Sequence, residues 1–335
     1  MTSEYQSVHQ NPKGMGDQRP TASQIISDNQ LQGKWSGKTV LITGCSSGIG
    51  VETARAILQT GATLYLTARD LEKAKSALGD IHENDRVNLL ELDLASLASV
   101  RKCADDFLAS SSNLNVLITN AGVMATPEGR TVDGHETQLG TNHLAHFLLT
   151  NYLLPTMLSS SSADFQSRIV ILASSAHRHG GINFSNINFE GEYNSWMAYA
   201  QSKTANVYHA TELERRYGDK GVHAWAVHPG IVATSLTKNM DKETLEQWGQ
   251  DPEVGNALKN PEQGAATSVW AAAAKALEGR GGLYLENCQI SEPARPHTGL
   301  KEYVPGYVAH TYDEEKAGLL WEKSVELLKP FLTKV

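Results

Sequence analysis

Thr43-Gly44-Cys45-Ser46-Ser47-Gly48-Ile49-Gly50 follows at once on the apolar run Val40-Leu41-Ile42 and opens into Val51 to Leu58, a stretch of helical period. Strand, glycine-rich turn and helix in that order make the first βα unit of a parallel sheet. Each glycine answers a steric demand. Gly44 permits a tight turn, Gly48 lets a pyrophosphate approach the backbone, and Gly50 allows the helix to pack closely on the strand. The helix N-terminus turns N–H groups and a partial positive charge toward the same place. Ser46, Ser47 and Ile49 complete the turn and are expected against the same phosphates.

Outward from this turn, short aliphatic or β-branched runs alternate with longer segments of helical period. The candidate strands are Thr39 to Thr43, Thr63 to Thr67, Val87 to Leu92, Val116 to Thr119, Arg168 to Leu172, His223 to Val227 and Leu283 to Leu285. They predict a doubly wound, Rossmann-type α/β fold: a seven-stranded parallel sheet with helices on both faces. The segment from about His135 to Leu158 reads as one long helix. Asn260, Pro261 and Gln263 supply a cap, a fixed-φ first residue and a reciprocal capping side chain, and the Ala-rich run to Ala276 continues that helix. Residues 1–36, rich in Gln, Ser, Asn and Asp, predict a flexible extension outside the core. Residues 37–335 form the single domain, with substrate loops at about 176–198, 234–260 and 286–311, the last two following strands on the carboxyl edge where open α/β sheets bind ligands.

A hydrophobic fraction of 40% and a charged fraction of 20% give an ordinary soluble chain ample core material, which excludes disorder throughout. A formal net charge of -8, with no cluster of Lys and Arg, argues against nucleic acid as a partner. Cys45, Cys103 and Cys288 lie too far apart for metal ligands or a disulfide framework, so no metal is expected and the compartment reads as reducing. The polar start lacks the apolar run of a signal peptide or anchor; the expectation is a cytoplasmic protein with no integral membrane span. Asn183-Phe184-Ser185 matches a glycosylation sequon, read as chance without a secretory signal.

The Gly-x-x-x-Gly-x-Gly spacing after Thr43 resembles the short-chain dehydrogenase/reductase family, and the resemblance runs from about Lys38 to the C-terminus. At the end of the second strand, where dinucleotide folds that prefer NAD place an acid, stand Ala68 and Arg69. A carboxylate would repel a 2′-phosphate and a guanidinium can grip it, so NADP(H) is the expected cofactor. Asp70 reads as the N-cap of the next helix. Asp93 with Leu94 matches the family's adenine-side contact, and Asn120-Ala121-Gly122 its strand-stabilising turn.

Tyr199 and Lys203, spaced i, i+4, share one face of a predicted helix. A phenol, with an ordinary pKa of about 10, is a weak base near neutrality, and a nearby cation stabilises its phenolate. The resemblance makes Tyr199 the catalytic acid/base and Lys203 its tuning partner, which also binds the nicotinamide ribose. Ser175, the second serine of Ala173-Ser174-Ser175, would hydrogen-bond the substrate oxygen. Asn142 matches the family asparagine that holds a water between the lysine and solvent. Pro229, Gly230, Val232 and Thr234 match the segment beside the nicotinamide.

The stretch between Ser175 and Tyr199 is longer than is usual in the family and resembles the retinol-dehydrogenase-like and WW-domain-oxidoreductase-like branches. Met124, His177, Trp196, Met197, Met240 and Trp248 are candidates to line an apolar substrate pocket. By analogy two chains would pair as a homodimer through the helices carrying Asn142 and Tyr199; a helix from Asp313 to Leu328 would cover the pocket or block that pairing. Two rivals remain in view: the same pocket used by a cyclase, dehydratase or cofactor-binding regulator, and an N-terminal arm that binds a partner.

Overall fold

The computed structural model describes residues 4–295 and 304–332. Residues 296–303 of the expected 286–311 loop lie outside the described residues, as do 1–3 and 333–335. The chain opens with α1 (Ala22–Asp28) and proceeds through β1 (Thr39–Thr43), α2 (Ile49–Leu58), β2 (Thr63–Ala68), α3 (Leu71–Leu78), β3 (Val87–Glu91), α4 (Leu97–Ser110) and β4 (Val116–Thr119). Next come a short turn of helix α5 (Thr137–Leu139), α6 (Ala145–Ser160), β5 (Ser167–Leu172), α7 (Ser195–Tyr217) and β6 (Val222–His228). After them follow α8 (Lys242–Gln250), α9 (Pro252–Ala257), α10 (Pro261–Gly264), α11 (Ala266–Ala273), β7 (Leu283–Glu286), β8 (Gln289–Ile290) and α12 (Glu314–Leu332).

The strands lie in the order β3-β2-β1-β4-β5-β6-β7-β8. The first seven run parallel, as expected, and β8 adds a two-residue antiparallel edge. Alternate residues of each strand enter opposite cores. Leu41, Leu117, Ile169 and Ile171 join α4, α6, α7 and α12 on one face, while Val40, Ile42, Val116, Ile118 and Val170 join α1, α2, α3 and α11 on the other. Burial on both faces is why these strands read as unbroken apolar runs. The chain reverses its winding between β1 and β4, and loops from both halves meet there at the carboxyl ends of the strands.

Three expectations change. Residues 1–36 are not a loose extension: Tyr5, Ala22, Ile25, Ile26 and Trp35 are buried in the second core. Thr21 caps α1 through Gln24 N–H, and the Tyr5 hydroxyl donates to Asp28 Oδ2 at 3.0 Å. A few well-placed apolar side chains on a polar background suffice, because the partner surface is supplied by α2 and α11. The expected helix from His135 to Leu158 is interrupted, since Gly140–Leu144 forms a π-helical turn between α5 and α6. Such a turn inserts one residue into the ladder and re-aims its side chains. The capping box at Asn260 and Gln263 is present, but its helix is short, and α11 ends at Ala273.

α12 covers the face of α6 and α7 turned away from the sheet. Trp321 packs edge-on against Phe147 with ring centroids 4.8 Å apart, and His143 Nε2 and Ser324 Oγ share a hydrogen bond of 2.8 Å. The Tyr152 hydroxyl donates to Phe331 O. α12 thus occupies within the chain an outward face of α6 and α7, the helices through which pairing was expected. No helix among the described residues is long and apolar enough to cross a membrane.

Candidate active site

A single cleft of about 1170 Å³ runs along the carboxyl edge of the sheet, from Arg69 at one end to Trp196 and Trp248 at the other. Its floor is the glycine turn. Gly44 and Gly48 have φ of +79° and +59°, backbone that L side chains rarely adopt. A Cβ on Gly50 would run into the Gly44 carbonyl and come within 2.7 Å of Asn120 Nδ2, so the helix can start this close to the strand only with glycine there. Asn120 in turn donates to Thr43 O at 2.9 Å and Gly44 O at 3.3 Å, and Ala121 N–H donates to Thr43 Oγ1. Asn120-Ala121-Gly122 thus braces the turn from β4. Ser46, Ser47, Gly48 and Ile49 line the cleft above it.

At the Arg69 end, where the adenosine was expected, Ala68, Arg69, Asp70, Asp93 and Leu94 all line the wall. Asp70 caps α3 by accepting from Lys73 N–H at 3.0 Å, as its position predicts. Lys73 lines the cleft beside Arg69 and was not among the expected residues. Its position one helical turn past Arg69 was the available signal. The Asp93 carboxylate accepts from Ala95 N–H at 3.0 Å, turning the chain after β3.

At the other end, Ser175, Tyr199 and Lys203 line the same cleft. Lys203 Nζ lies 5.6 Å from the Tyr199 ring centroid and donates to Leu172 O at 3.0 Å. Burial pushes its ammonium down to about 8. The amide of Asn142, on the π-helical turn, is fully engaged with protein. Its Oδ1 accepts from Val123 N–H at 2.8 Å, and its Nδ2 donates to Val123 O and Ser202 Oγ, both at 2.9 Å. Asn142 therefore ties the segment after β4 to α7 beneath Tyr199. Ser175 N–H donates to His228 Nδ1 at 3.3 Å, and burial holds that imidazole well below its ordinary pKa, so it accepts as a neutral ring.

Pro229, Gly230, Val232 and Thr234 line the cleft opposite the glycine turn. The two walls touch: Ser47 Oγ and Ser235 Oγ are 3.3 Å apart, and a Cβ on Gly48 would meet Thr234 Cγ2 at 3.0 Å. Of the substrate candidates, Met124, Trp196 and Trp248 line the cleft, joined by Leu236, Leu245 and Leu258. Trp196 stands edge-on to Tyr199 with centroids 6.4 Å apart.

The other three do not line it. His177 is wholly buried behind the wall, with Nδ1 bonded to Ser174 O, Nε2 to Thr311 Oγ1 and its ring against Tyr284. Its turn of 3-10 helix, Ser175–His179, swings the side chain away from the cleft. Met197 is 41% exposed, and its tip lies near Gly180. Met240 packs beneath Met124 and Tyr199 as support. The three cysteines are buried and form no disulfide, and burial pushes the Cys45 thiol up to about 12, which leaves it inert. No group of side chains suited to a metal ion occurs among the described residues.

A switch-point cleft with a glycine turn as its floor and a Tyr-x-x-x-Lys helix toward one end is the layout of a dinucleotide-dependent oxidoreductase. The chain belongs to the short-chain dehydrogenase/reductase family: residues 38–245 match the family described as short chain dehydrogenase. Short-chain dehydrogenase/reductase prx1 of Penicillium roqueforti is 48% identical over 94% of this chain and 92% of its own length. Retinol dehydrogenase 11 of Mus musculus is 40% identical over 87% of this chain and 86% of its own. Among solved structures, a protein of Mycobacterium paratuberculosis described as uncharacterized is 34% identical. It superposes with a TM-score of 0.66 over 88% of this chain and 94% of its own.

Proposed function

We propose that this oxidoreductase uses NADP(H) to move a hydride between the nicotinamide and a carbonyl or alcohol of an apolar small molecule, with Tyr199 as the acid/base. The observation that carries the reading is one continuous cleft holding the glycine cradle, two cations at its adenosine end and Ser175, Tyr199 and Lys203 at an apolar mouth. The cradle suits a dinucleotide because its glycines let the turn close against Ala121, Thr234 and Asn120 where a Cβ would clash, and α2 begins there with its N-terminus at the cleft. When bound, that cofactor supplies or accepts the hydride.

The chain's own residues govern the oxygen and the proton. In reduction, the Ser175 and Tyr199 hydroxyls hold the carbonyl oxygen, and Tyr199 delivers its proton to that oxygen as the C–H bond forms. Lys203, charged below its pKa of about 8, stabilises the phenolate left behind. In oxidation the phenolate takes the proton back. Trp196, Trp248, Leu236, Leu245 and Met124 favour an apolar substrate and keep water from the reacting carbon.

The test is NADPH oxidation against a panel of ketones, aldehydes and polycyclic carbonyls, run beside NADH. NADPH should be strongly preferred, and equal use of NADH overturns the cofactor assignment. Arg69→Ala should raise the NADPH KM about tenfold, the worth of one charge-assisted hydrogen bond, and leave the NADH KM unchanged. Equal effects on both coenzymes would assign Arg69 no part in reading the 2′-phosphate.

A further inference from the structure

The N-terminal segment does more than fill a core. Arg19 is buried, 4% exposed, and its guanidinium reaches across to the end of α9. Nη1 donates to Ala257 O at 2.7 Å, and Nη2 donates to Leu258 O at 2.7 Å, to Asn256 O at 3.4 Å and to Gly14 O at 2.9 Å. Nε pairs with Asp17 Oδ1 at 2.8 Å, which fixes the plane of the fork. Gly14 N–H adds a bond to Asn256 O at 2.8 Å. On the far side, Gln263 locks the same arm by donating to Asp17 and to Arg19 O, and by accepting from Gly16 N–H. A guanidinium taking three successive carbonyls at a helix C-terminus satisfies acceptors that the helix itself leaves unpaired.

Of those carbonyls, that of Leu258 belongs to the cleft wall, and the other two directly precede it in the chain. Val254, Gly255 and Leu258 line that wall, and the next residue, Lys259, pairs with the nicotinamide-side segment like a strand. Lys259 N–H donates to Ile231 O at 2.8 Å, and Ala233 N–H donates to Lys259 O at 3.0 Å. Lys259 Nζ bonds Pro229 O at 3.2 Å and Asn287 Oδ1 at 3.1 Å. From Arg19 the connection thus passes through the Leu258 carbonyl and the Leu258–Lys259 peptide bond to Ile231 and Ala233, the chain neighbours of Val232 and Thr234. α8, just before this segment, buries none of its own side chains, so the core does little to hold the region from that side.

We propose that Arg19 is a positioning residue. It clamps residues 256–258 and thereby sets the segment 229–234, together with Leu258, at the nicotinamide and substrate end of the cleft. The proposal rests on the reading of that end as the hydride-transfer site. A displacement of about 1 Å in such a wall is enough to cost on the order of tenfold or more in turnover efficiency.

The experiment compares Arg19→Met, which keeps the stem and loses the fork, with Arg19→Lys, which keeps one point charge. Substrate KM, NADPH dissociation followed by cofactor fluorescence, and amide hydrogen exchange of the cofactor-free protein are measured on each. For Arg19→Met, substrate KM should rise about tenfold, with a larger change in KM than in kcat. Amides at 230–234 and 255–259 should exchange faster while those of β1, β4 and β5 stay protected. Arg19→Lys should fall between Arg19→Met and the natural protein. Unchanged kinetics, or exchange that rises equally in the central strands, would overturn the clamp. The exchange readout needs neither cofactor nor turnover, so a natural protein that fails to bind NADPH would sink the function proposed above and leave the clamp to be judged on its own.

Discussion

Tyr199→Phe should lower kcat by about a thousandfold, within the 10²–10⁴ that a positioned acid or base typically contributes. The fold should hardly notice. The aromatic ring packs with Met124, Ala176 and Met240 and meets the Trp196 edge, contacts that phenylalanine retains. NADPH binding, read by fluorescence, should survive, because the glycine turn and the cations at the adenosine end are untouched. The combination to look for is lost turnover with preserved cofactor affinity and an unchanged melting temperature. A variant that still turns over at near the natural rate would remove Tyr199 from the chemistry.

A second large effect is expected in acid. His143, His146, His209 and His228 are buried, and burial depresses all four: His143 to about 3, His146 to about 4, the others well below the ordinary range. Unfolded, each would take a proton as the pH falls below about 6.5, while folded it does not. The unfolded state therefore binds more protons across the window from about 6.5 down to 4, and stability is lost as pH falls. Each histidine costs on the order of 1 kcal/mol per pH unit, so four of them consume several of the roughly 5–15 kcal/mol that hold a domain together.

Glu136 and Glu286, which burial raises above the ordinary carboxylate value, act in the opposite direction as the pH falls through their raised values. Denaturant unfolding should thus show a steep fall in stability between pH 7 and pH 5. His209 offers the control. Neither of its ring nitrogens has a hydrogen-bond partner among the described residues, and it sits between Phe147 and Trp321. His209→Phe should shift the acid transition to lower pH. Stability that stays flat from pH 7 to 5 would contradict the assignment of these imidazoles as neutral.

What could be read from the sequence was what is local or evenly spaced. The glycine turn, the Asp70 cap, the Asn260 capping box and the i, i+4 pair of Tyr199 and Lys203 each depend on residues within a few positions of one another, and the structure holds them in one cleft or at the helix ends expected. What escaped depends on distant partners. His177 could not be aimed from sequence, because Thr311 and Tyr284 decide where its ring goes. Ile25 and Ile26 look isolated until α11 supplies their partner surface, and Arg19 looks like one more surface charge until residues 256–258 reach it. The break at Gly140–Leu144 was hidden because a π turn disturbs the backbone ladder without disturbing the apolar pattern around it.

The way α1 and α12 are seated also sets an order of assembly. α1 is made early, yet it rests on α11, and the outer face of α6 and α7 waits for α12. A chain growing from its N-terminus therefore carries Ile25 and Ile26 without their cover until about residue 273 exists, and Phe147 without Trp321 until α12 follows. Half-made chains of this kind expose sticky surface and depend on long-range closure, which slows folding and invites aggregation. Truncation ahead of residue 314 should accordingly be felt first as insoluble protein, before any defect in the chemistry can be measured.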